Sequence, residues 1–272
     1  MSVLENVSKI TVPSIQFTNT DAAFNTVISN SNGFNQEQKE ILNKVEDIIF
    51  KNRNHLANIH LNKSEIISRD PADEIVKLFQ EHPPVYLYMI LQKCKQKADY
   101  PTEENTTITT PIGPLLFNKY VQTITSSTLL KATFSENSTQ KSWYKSRNDL
   151  KTALLDTLPE DTPTEDRDCI EINLNELMNN ANRDTDTTKE NNYLFSLEHE
   201  YSRSDWDCFS TLYSSSATAK KATVKTGICN QNSHYEWVGD MTIGSLRAEL
   251  SVAARAEPII KVFATQLLHN LI

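Results

Sequence analysis

Glycine is scarce in this chain, with only 5 among 272 residues, whereas glycine ordinarily makes up about 7 % of a protein. Few glycines mean few positive-φ turns and few tight hairpins, so the composition favours helices joined by polar loops. Glycine-rich phosphate loops are also disfavoured, because their backbone must approach phosphate closely. No kinase motif set, nucleophile elbow or dinucleotide fingerprint occurs either. We therefore expect no cofactor.

A basic excess is also lacking, because the net charge is −8. Proteins that bind nucleic acid normally carry a basic excess that displaces counterions from phosphates, so we expect no nucleic-acid partner. The short basic runs Lys93–Lys97 and Lys220-Lys221 are interpreted as solvated faces.

Long apolar runs are absent too. No stretch approaches the roughly 18 apolar residues of a membrane-spanning helix, and Met1–Ile10 does not have the form of a secretory signal. The four cysteines show no pairing pattern, which is typical of free thiols in a reducing compartment. We expect a cytosolic protein, and direct injection into a host cell without a cleaved signal stays open.

The densest apolar block runs from Asp70 to Cys94. Asp70 is a good N-cap and Pro71 suits the first helical position, where its missing N–H costs nothing. Pro83 ends that helix and Pro84 opens the next. The sequence thus predicts two helices hinged at His82-Pro83-Pro84, around which the remaining chain packs.

Periodicity predicts further helices. A capping box at Asn35 and Gln38 precedes an apolar stripe that continues to about Asn54. Five more helices are predicted. One begins at Thr20, one runs through Leu116–Ile124, one follows a cap at Ser138 or Thr139, and the last two cover Leu246–Ala256 and Pro258–Ile272. Ile170–Met178 fits a strand or a helix, and Lys220–Gly239 is predicted to be loop with a short strand.

These elements predict a mainly α fold, a multi-helix bundle with a looser C-terminal part and room for a minor β element. The acidic, proline-bearing segment 159–168 is the best candidate boundary. The predicted organisation is a helical core domain at 1–158, an acidic linker at 159–168 and a second, looser helical part at 169–272.

One set of residues suggests cysteine chemistry. A nucleophilic cysteine needs an imidazole to take its proton and a group that orients the imidazole. Cys208, His234 and Asp240 supply these residue types, and Cys94 with His199 is a second combination. Neither has a local signature, and a buried cysteine acting as a small hydrophobe is the commoner case.

Metal sites have weaker support. Asp205-x-Asp207 resembles the paired carboxylates of some glycosyltransferases, but no apolar strand precedes it. His55 and His60 would lie roughly 140° apart on a helix, which does not suit zinc ligation. We expect no metal.

The segment Asp70-Pro-Ala-Asp73-Glu74, followed by His82-Pro83-Pro84 and Leu87, resembles a motif of the vacuolar-protein-sorting-nine exchange-factor domain. The resemblance covers about fifty residues, and the proline that the family carries inside its first helix is missing. It implies an all-helical domain that opens endosomal Rab-family GTPases. It also implies that Asp73 or Glu74 supplies the family's acidic contact and that Tyr120 is the nearest match to its tyrosine.

A function in regulation follows from these features as an expectation. An acidic, helical, glycine-poor chain suits a protein that presents a rigid face to a partner, and exchange follows when the nucleotide-free GTPase is bound more tightly. The composition resembles that of bacterial effectors or viral accessory proteins. We expect an effector-type protein acting on a host regulatory partner, most concretely as a Rab exchange factor. The alternative is a cysteine-dependent hydrolase or deamidase that uses Cys208 and His234.

Overall fold

Seven α-helices and seven β-strands occur in the part of the chain that the computed structural model describes, which is residues 25–59, 70–102, 106–108, 112–138, 142–158, 160, 162, 164–183, 191–201, 205–226 and 232–269. The helices are α1 (Gln36–Ile59), α2 (Pro71–Glu81), α3 (Pro83–Ala98), α4 (Ile112–Thr125), α5 (Arg147–Leu155), α6 (Thr164–Arg183) and α7 (Glu257–His269). The strands are β1 (Asn25–Asn32), β2 (Thr106–Ile108), β3 (Leu130–Ser138), β4 (Ser142–Tyr144), β5 (Asn191–Tyr201), β6 (Phe209–Thr226) and β7 (Asn232–Leu250).

Helix α1 begins with the predicted capping box. The backbone N–H of Gln38 donates to Asn35 Oδ1 at 2.9 Å, and the backbone N–H of Asn35 donates to Gln38 Oε1 at 3.0 Å. Two N–H groups that a helix start leaves unpaired are thereby satisfied. Ile41, Val45 and Ile49 of the predicted stripe are buried, which confirms this helix.

The hinged pair of helices is also confirmed. Asp70 caps α2 with its side chain, Pro71 is the first helical residue, and His82 separates α2 from α3. Ten of the sixteen residues of α3 are buried, so α3 is packed on nearly all sides. A helix buried in this way lies at the centre of a core.

The seven strands form one mixed sheet with the order β2-β1-β5-β6-β7-β3, and β4 continues the β3 edge along β7. Strands β1 and β5 are parallel, whereas the other pairs are antiparallel. The longest pair is β6 with β7, from Phe209 opposite Glu249 to Thr226 opposite Asn232.

Helices cover both faces of this sheet. Alternate residues of a strand point to opposite faces. Leu212 and Leu246, which are partners in the ladder, join a core formed mainly by α1, α2, α3, α4 and α7, called core 1 here. Tyr213 and Ile243 face a smaller core formed with α5 and α6, called core 2. Within the described residues, no helix has the length and apolar content needed to cross a bilayer.

The predicted fold class is confirmed only at the coarse level. Helices hold more of the described residues than strands do, but the bundle arrangement is not confirmed, because the helices pack on a sheet. The predicted division at 159–168 also does not separate the cores. Core 1 combines α2 and α3 with α7, core 2 combines α5 with α6, and α6 already begins at Thr164.

Several predicted local elements were wrong. Val27 and Ile28 lie in β1 instead of a helix, and Thr20 is outside the described residues. The predicted helix at Leu246–Ala256 is the end of β7 followed by a short 3₁₀ turn. The predicted loop at Lys220–Gly239 consists largely of β6 and β7.

Other predicted helices agree with the structure in part or in full. Helix α5 begins after Ser146, since 142–144 are strand β4. Helices α4 and α7 are confirmed, and Ile170–Met178 is helical.

Candidate functional site

The solvent side of α2 is the most clearly organised charged surface among the sequence-predicted sites. Its exposed residues are Asp73, Glu74, Lys77, Gln80 and Glu81, called the α2 face here. Their spacing places them on one side of the helix. The opposite side is buried through Ala72, Ile75, Val76 and Phe79. The charged side chains therefore stand on a helix that is fixed to core 1.

The first turn of α2 is built by its N-cap. Asp70 Oδ1 accepts from the backbone N–H of Ala72 at 3.0 Å, and the Asp70 carbonyl accepts from the N–H of Asp73 at 3.0 Å. Asp73 and Glu74 lie in this turn, where negative charge interacts favourably with the helix dipole. Their position is thus set by local helix chemistry.

Lys261 of α7 holds Asp73 in place. Lys261 Nζ lies 2.6 Å from Asp73 Oδ1 and 3.8 Å from Asp70 Oδ2. The hydrogen bond to Asp73 and the negative charge of that carboxylate raise the pKa of Lys261 above its usual value. Both side chains are well exposed, so the pair contributes little to stability. It orients the Asp73 carboxylate.

Tyr120 does not share this surface. Its side chain is completely buried in core 1, and its ring stacks on Tyr100 with 4.5 Å between the centroids. A tyrosine buried in this way contacts a partner protein only if the core opens. Of the two positions that the family resemblance singles out, the structure places Asp73 on the exterior and Tyr120 in the interior.

The predicted cysteine site is not brought together. Cys208 is buried just before β6, and Phe209 pairs with Glu249. His234 pairs with Val224, fifteen residues farther along β6, which is roughly 50 Å at 3.3 Å per residue. Asp240 pairs with Thr218 and thus lies roughly 20 Å along β7 from His234. The backbone register alone separates these three residues.

The remaining candidates are placed as follows. Cys94 is buried in α3, and His199 lies in β5 opposite Thr211. Asp205 and Asp207 are exposed in a short 3₁₀ turn. No group of three or more metal-binding side chains occurs in the described part of the chain. His55 lies in α1, and His60 is outside the described residues.

Sequence reasoning missed two features of this region. No local pattern shows that Lys261, far from Asp73 in the chain, reaches its carboxylate. The basic run Lys93–Lys97 predicts a solvated face, but Lys95 is only 2 % exposed. Residues two apart in a helix point in different directions, so alternating Lys93, Lys95 and Lys97 cannot all face solvent.

Comparisons with known proteins give no family. No family model matches the chain, and no curated protein matches it. Three similar solved structures are the activated Cyt2Ba monomer from Bacillus thuringiensis subsp. israelensis, a delta-endotoxin and the Evf virulence factor.

The likeness to each is low. The Cyt2Ba match has 11% identity and a TM-score of 0.32, and covers 63% of this chain and 95% of that one. The delta-endotoxin match has 11% identity and a TM-score of 0.31, with 63% and 78% covered. The Evf match has 8% identity and a TM-score of 0.28, with 92% and 79% covered. These scores carry no argument about function.

Proposed function

We propose that this chain is an effector-type regulatory protein that binds a host protein partner through the α2 face. The observation that carries the proposal is the exposed first turn of α2, where Asp73 and Glu74 stand on a helix whose other side is buried. A preformed rigid face loses little conformational freedom on binding. Its acidic first turn suits a partner surface with cationic groups.

The finer form of the proposal is that the partner is an endosomal Rab-family GTPase and that binding accelerates nucleotide release. Its support is the resemblance of 70–87 to the exchange-factor motif, together with the exposure of Asp73. A carboxylate directed at the nucleotide site disturbs the magnesium ion and the phosphates, and the nucleotide-free state is then favoured by linkage. Tyr120 contributes to packing and does not contact the GTPase in this proposal.

Nucleotide release from a panel of Rab proteins tests this function. We expect the chain at micromolar concentration to accelerate release of a fluorescent GDP analogue from at least one member. Asp73→Ala should lower that acceleration about tenfold, as expected if one charge-assisted contact worth about 1.4 kcal/mol is lost. Thermal unfolding should show that the variant remains folded, because the exposed Asp73–Lys261 pair contributes little to stability.

Glu37→Ala is the matched control, since Glu37 is an exposed acidic residue in the first turn of α1. It should release nucleotide at the wild-type rate. If no Rab protein responds to the wild-type chain, or if Asp73→Ala and Glu37→Ala behave alike, the exchange proposal is wrong. Binding to nucleotide-free Rab without accelerated release would leave partner binding supported and remove the exchange activity.

A further inference from the structure

A pocket opens between α3, α4 and α7, and no residue of α2 lines it. Its volume is about 170 Å³. Ile90, Leu129 and Phe263 form an apolar floor, and Lys93, Cys94 and Lys97 line it from α3. Lys261 and the pocket residue Gln266 are roughly 140° apart around α7. The pocket is therefore distinct from the α2 face.

The positive charge of this pocket has no partner among the described residues. Lys93 and Lys97 are four apart on α3, so their side chains lie on one side of the helix, where like charges repel. Neither forms an ion pair with a carboxylate in the described ranges. Partial burial, followed by the charge of Arg53, lowers the pKa of Lys93. A bound anion would relieve both the desolvation and the repulsion.

A hydroxyl beside the lysines adds a donor. Ser127 Oγ accepts from the backbone N–H of Leu129 at 3.3 Å, and both residues line the pocket. A serine hydroxyl that accepts a hydrogen bond still has its own proton to donate. The pocket lining thus combines two lysines and this serine with apolar side chains, a combination that suits a negatively charged group on a compact apolar body.

We propose that this pocket binds a small carboxylate with an aromatic or short aliphatic body. The carboxylate lies between Lys93 and Lys97, and the apolar body rests against Ile90, Leu129 and Phe263. An apolar cavity of about 150 Å³ holds benzene, so the volume here admits one ring with a carboxyl substituent. This ligand site is independent of the proposed partner-binding function.

Cys94 provides a reporter inside the pocket. Alkylation by iodoacetamide or iodoacetate forms a carbon–sulfur bond and releases iodide, and peptide mapping distinguishes Cys94 from the other three cysteines. Both alkylation rates are proportional to the fraction of Cys94 that is ionised to the thiolate. That fraction therefore cancels in the ratio of the iodoacetate rate to the iodoacetamide rate. We expect this ratio at Cys94 to exceed that of N-acetylcysteine amide about tenfold, because the lysines attract the anionic reagent.

The double variant Lys93→Gln/Lys97→Gln should lower the iodoacetate-to-iodoacetamide ratio at Cys94 to the value of N-acetylcysteine amide, the small-thiol reference. Lys77→Gln is the matched control, because Lys77 is an exposed lysine of α2 outside the pocket, and it should leave the ratio unchanged. A ratio at wild-type Cys94 equal to that of the small thiol would overturn the proposal.

Protection of the wild-type protein tests the ligand class without any variant. Benzoate at about 10 mM should slow iodoacetamide labelling of Cys94 at least threefold, whereas benzamide and benzylamine at the same concentration should not. Equal protection by benzamide, or none by benzoate, would show that the pocket does not select carboxylates. Because no GTPase is present, this outcome is independent of the nucleotide-release assay.

Discussion

Tyr86 is buried between two phenylalanine rings, and its hydroxyl has no hydrogen-bond partner within the described residues. The ring stacks on Phe79 with 5.0 Å between the centroids and meets the edge of Phe263 at 5.5 Å. Aromatic contacts of this kind stabilise a core beyond the area they bury. A buried hydroxyl without a partner has the opposite effect, because its hydration is lost. The ring of Tyr86 therefore stabilises the folded state, whereas its hydroxyl destabilises it.

Tyr86→Phe should raise the free energy of unfolding by about 1 kcal/mol, because it removes an unsatisfied polar group and keeps the ring. Tyr86→Leu should lower it by about 1–3 kcal/mol, because the contacts with Phe79 and Phe263 are lost. Urea titrations followed by circular dichroism measure both values. A loss of more than 1 kcal/mol in Tyr86→Phe would contradict this account.

Alkaline pH should also act through Tyr86. Burial raises the pKa of this tyrosine to about 12, whereas an unfolded tyrosine has a pKa of about 10. The unfolded state therefore loses the Tyr86 proton at a lower pH than the folded state does. The contribution of Tyr86 to the free energy of unfolding is complete below pH 10 and is lost as the pH rises towards 12. The expected slope from Tyr86 is about −1.4 kcal/mol per pH unit. Between about pH 10 and 12, the free energy of unfolding of Tyr86→Phe should fall less steeply with pH than that of the wild type, by this amount. Equal slopes for the two proteins would show that Tyr86 ionises in the folded state without penalty.

At the scale of elements, the junction between α2 and α3 shows how local chemistry fixes helix ends. The N–H of His82 still donates to the Leu78 carbonyl at 2.9 Å. Pro83 has no N–H to continue α2, and its fixed φ suits the first turn of α3. The chain therefore changes direction at one residue, and both helices pack into core 1.

Asp70→Ala should lower the free energy of unfolding by about 1 kcal/mol, the usual cost of losing an N-cap. Asp70→Asn is the matched control, because asparagine is an equally good cap but lacks the negative charge that lies 3.8 Å from Lys261. It should retain at least half of the lost stability. Equal losses in the two variants, measured by urea titration, would assign the effect to charge instead of capping.

The end of β7 shows where element prediction fails. Leu246, Ala248 and Leu250 alternate with polar residues and face core 1, which is the period of a strand. Leucine, alanine, arginine and glutamate also favour helices, and a window this short fits both patterns. The residues at the end of β7 pair with both β3 and β6, and this pairing stabilises the strand instead of a helix. Propensity in isolation therefore predicted the wrong element.

At the scale of the whole molecule, the two cores are coupled through β6 and β7. Core 1 includes Leu212 and Leu246, and core 2 includes Tyr213 and Ile243 from the same strands. Neither core is complete without this strand pair. The described part of the chain thus shares one sheet, to which strands before and after the predicted boundary at 159–168 both contribute.

Coupled cores should unfold together. Trp206 packs against core 1 and Trp237 lies in core 2. Each can be the only tryptophan in a variant that replaces Trp143 and the other one with phenylalanine. The two fluorescence transitions in urea should coincide. Leu174→Ala, a truncation of a completely buried residue of core 2, should lower the unfolding free energy by about 2–5 kcal/mol in both reporters.

A shift of the Trp237 transition with no shift of the Trp206 transition would show independent cores. That result would support the predicted division near 159–168. Phe50→Ala is the surface control, because Phe50 is 63% exposed in α1. It should move neither transition by more than about 0.5 kcal/mol.

The sequence by itself determined the helix starts at Asn35 and Asp70 and the break at Pro83, because caps and prolines act through hydrogen bonds and backbone angles of near neighbours. Only the tertiary structure decided the strands, the burial of Tyr120 and the separation of Cys208 from His234. Strand pairing and burial depend on residues distant in the chain, whose contacts no local pattern specifies. For the same reason, the ion pair of Asp73 with Lys261 and the pocket beside Lys93 emerge only when α7 packs against α2 and α3.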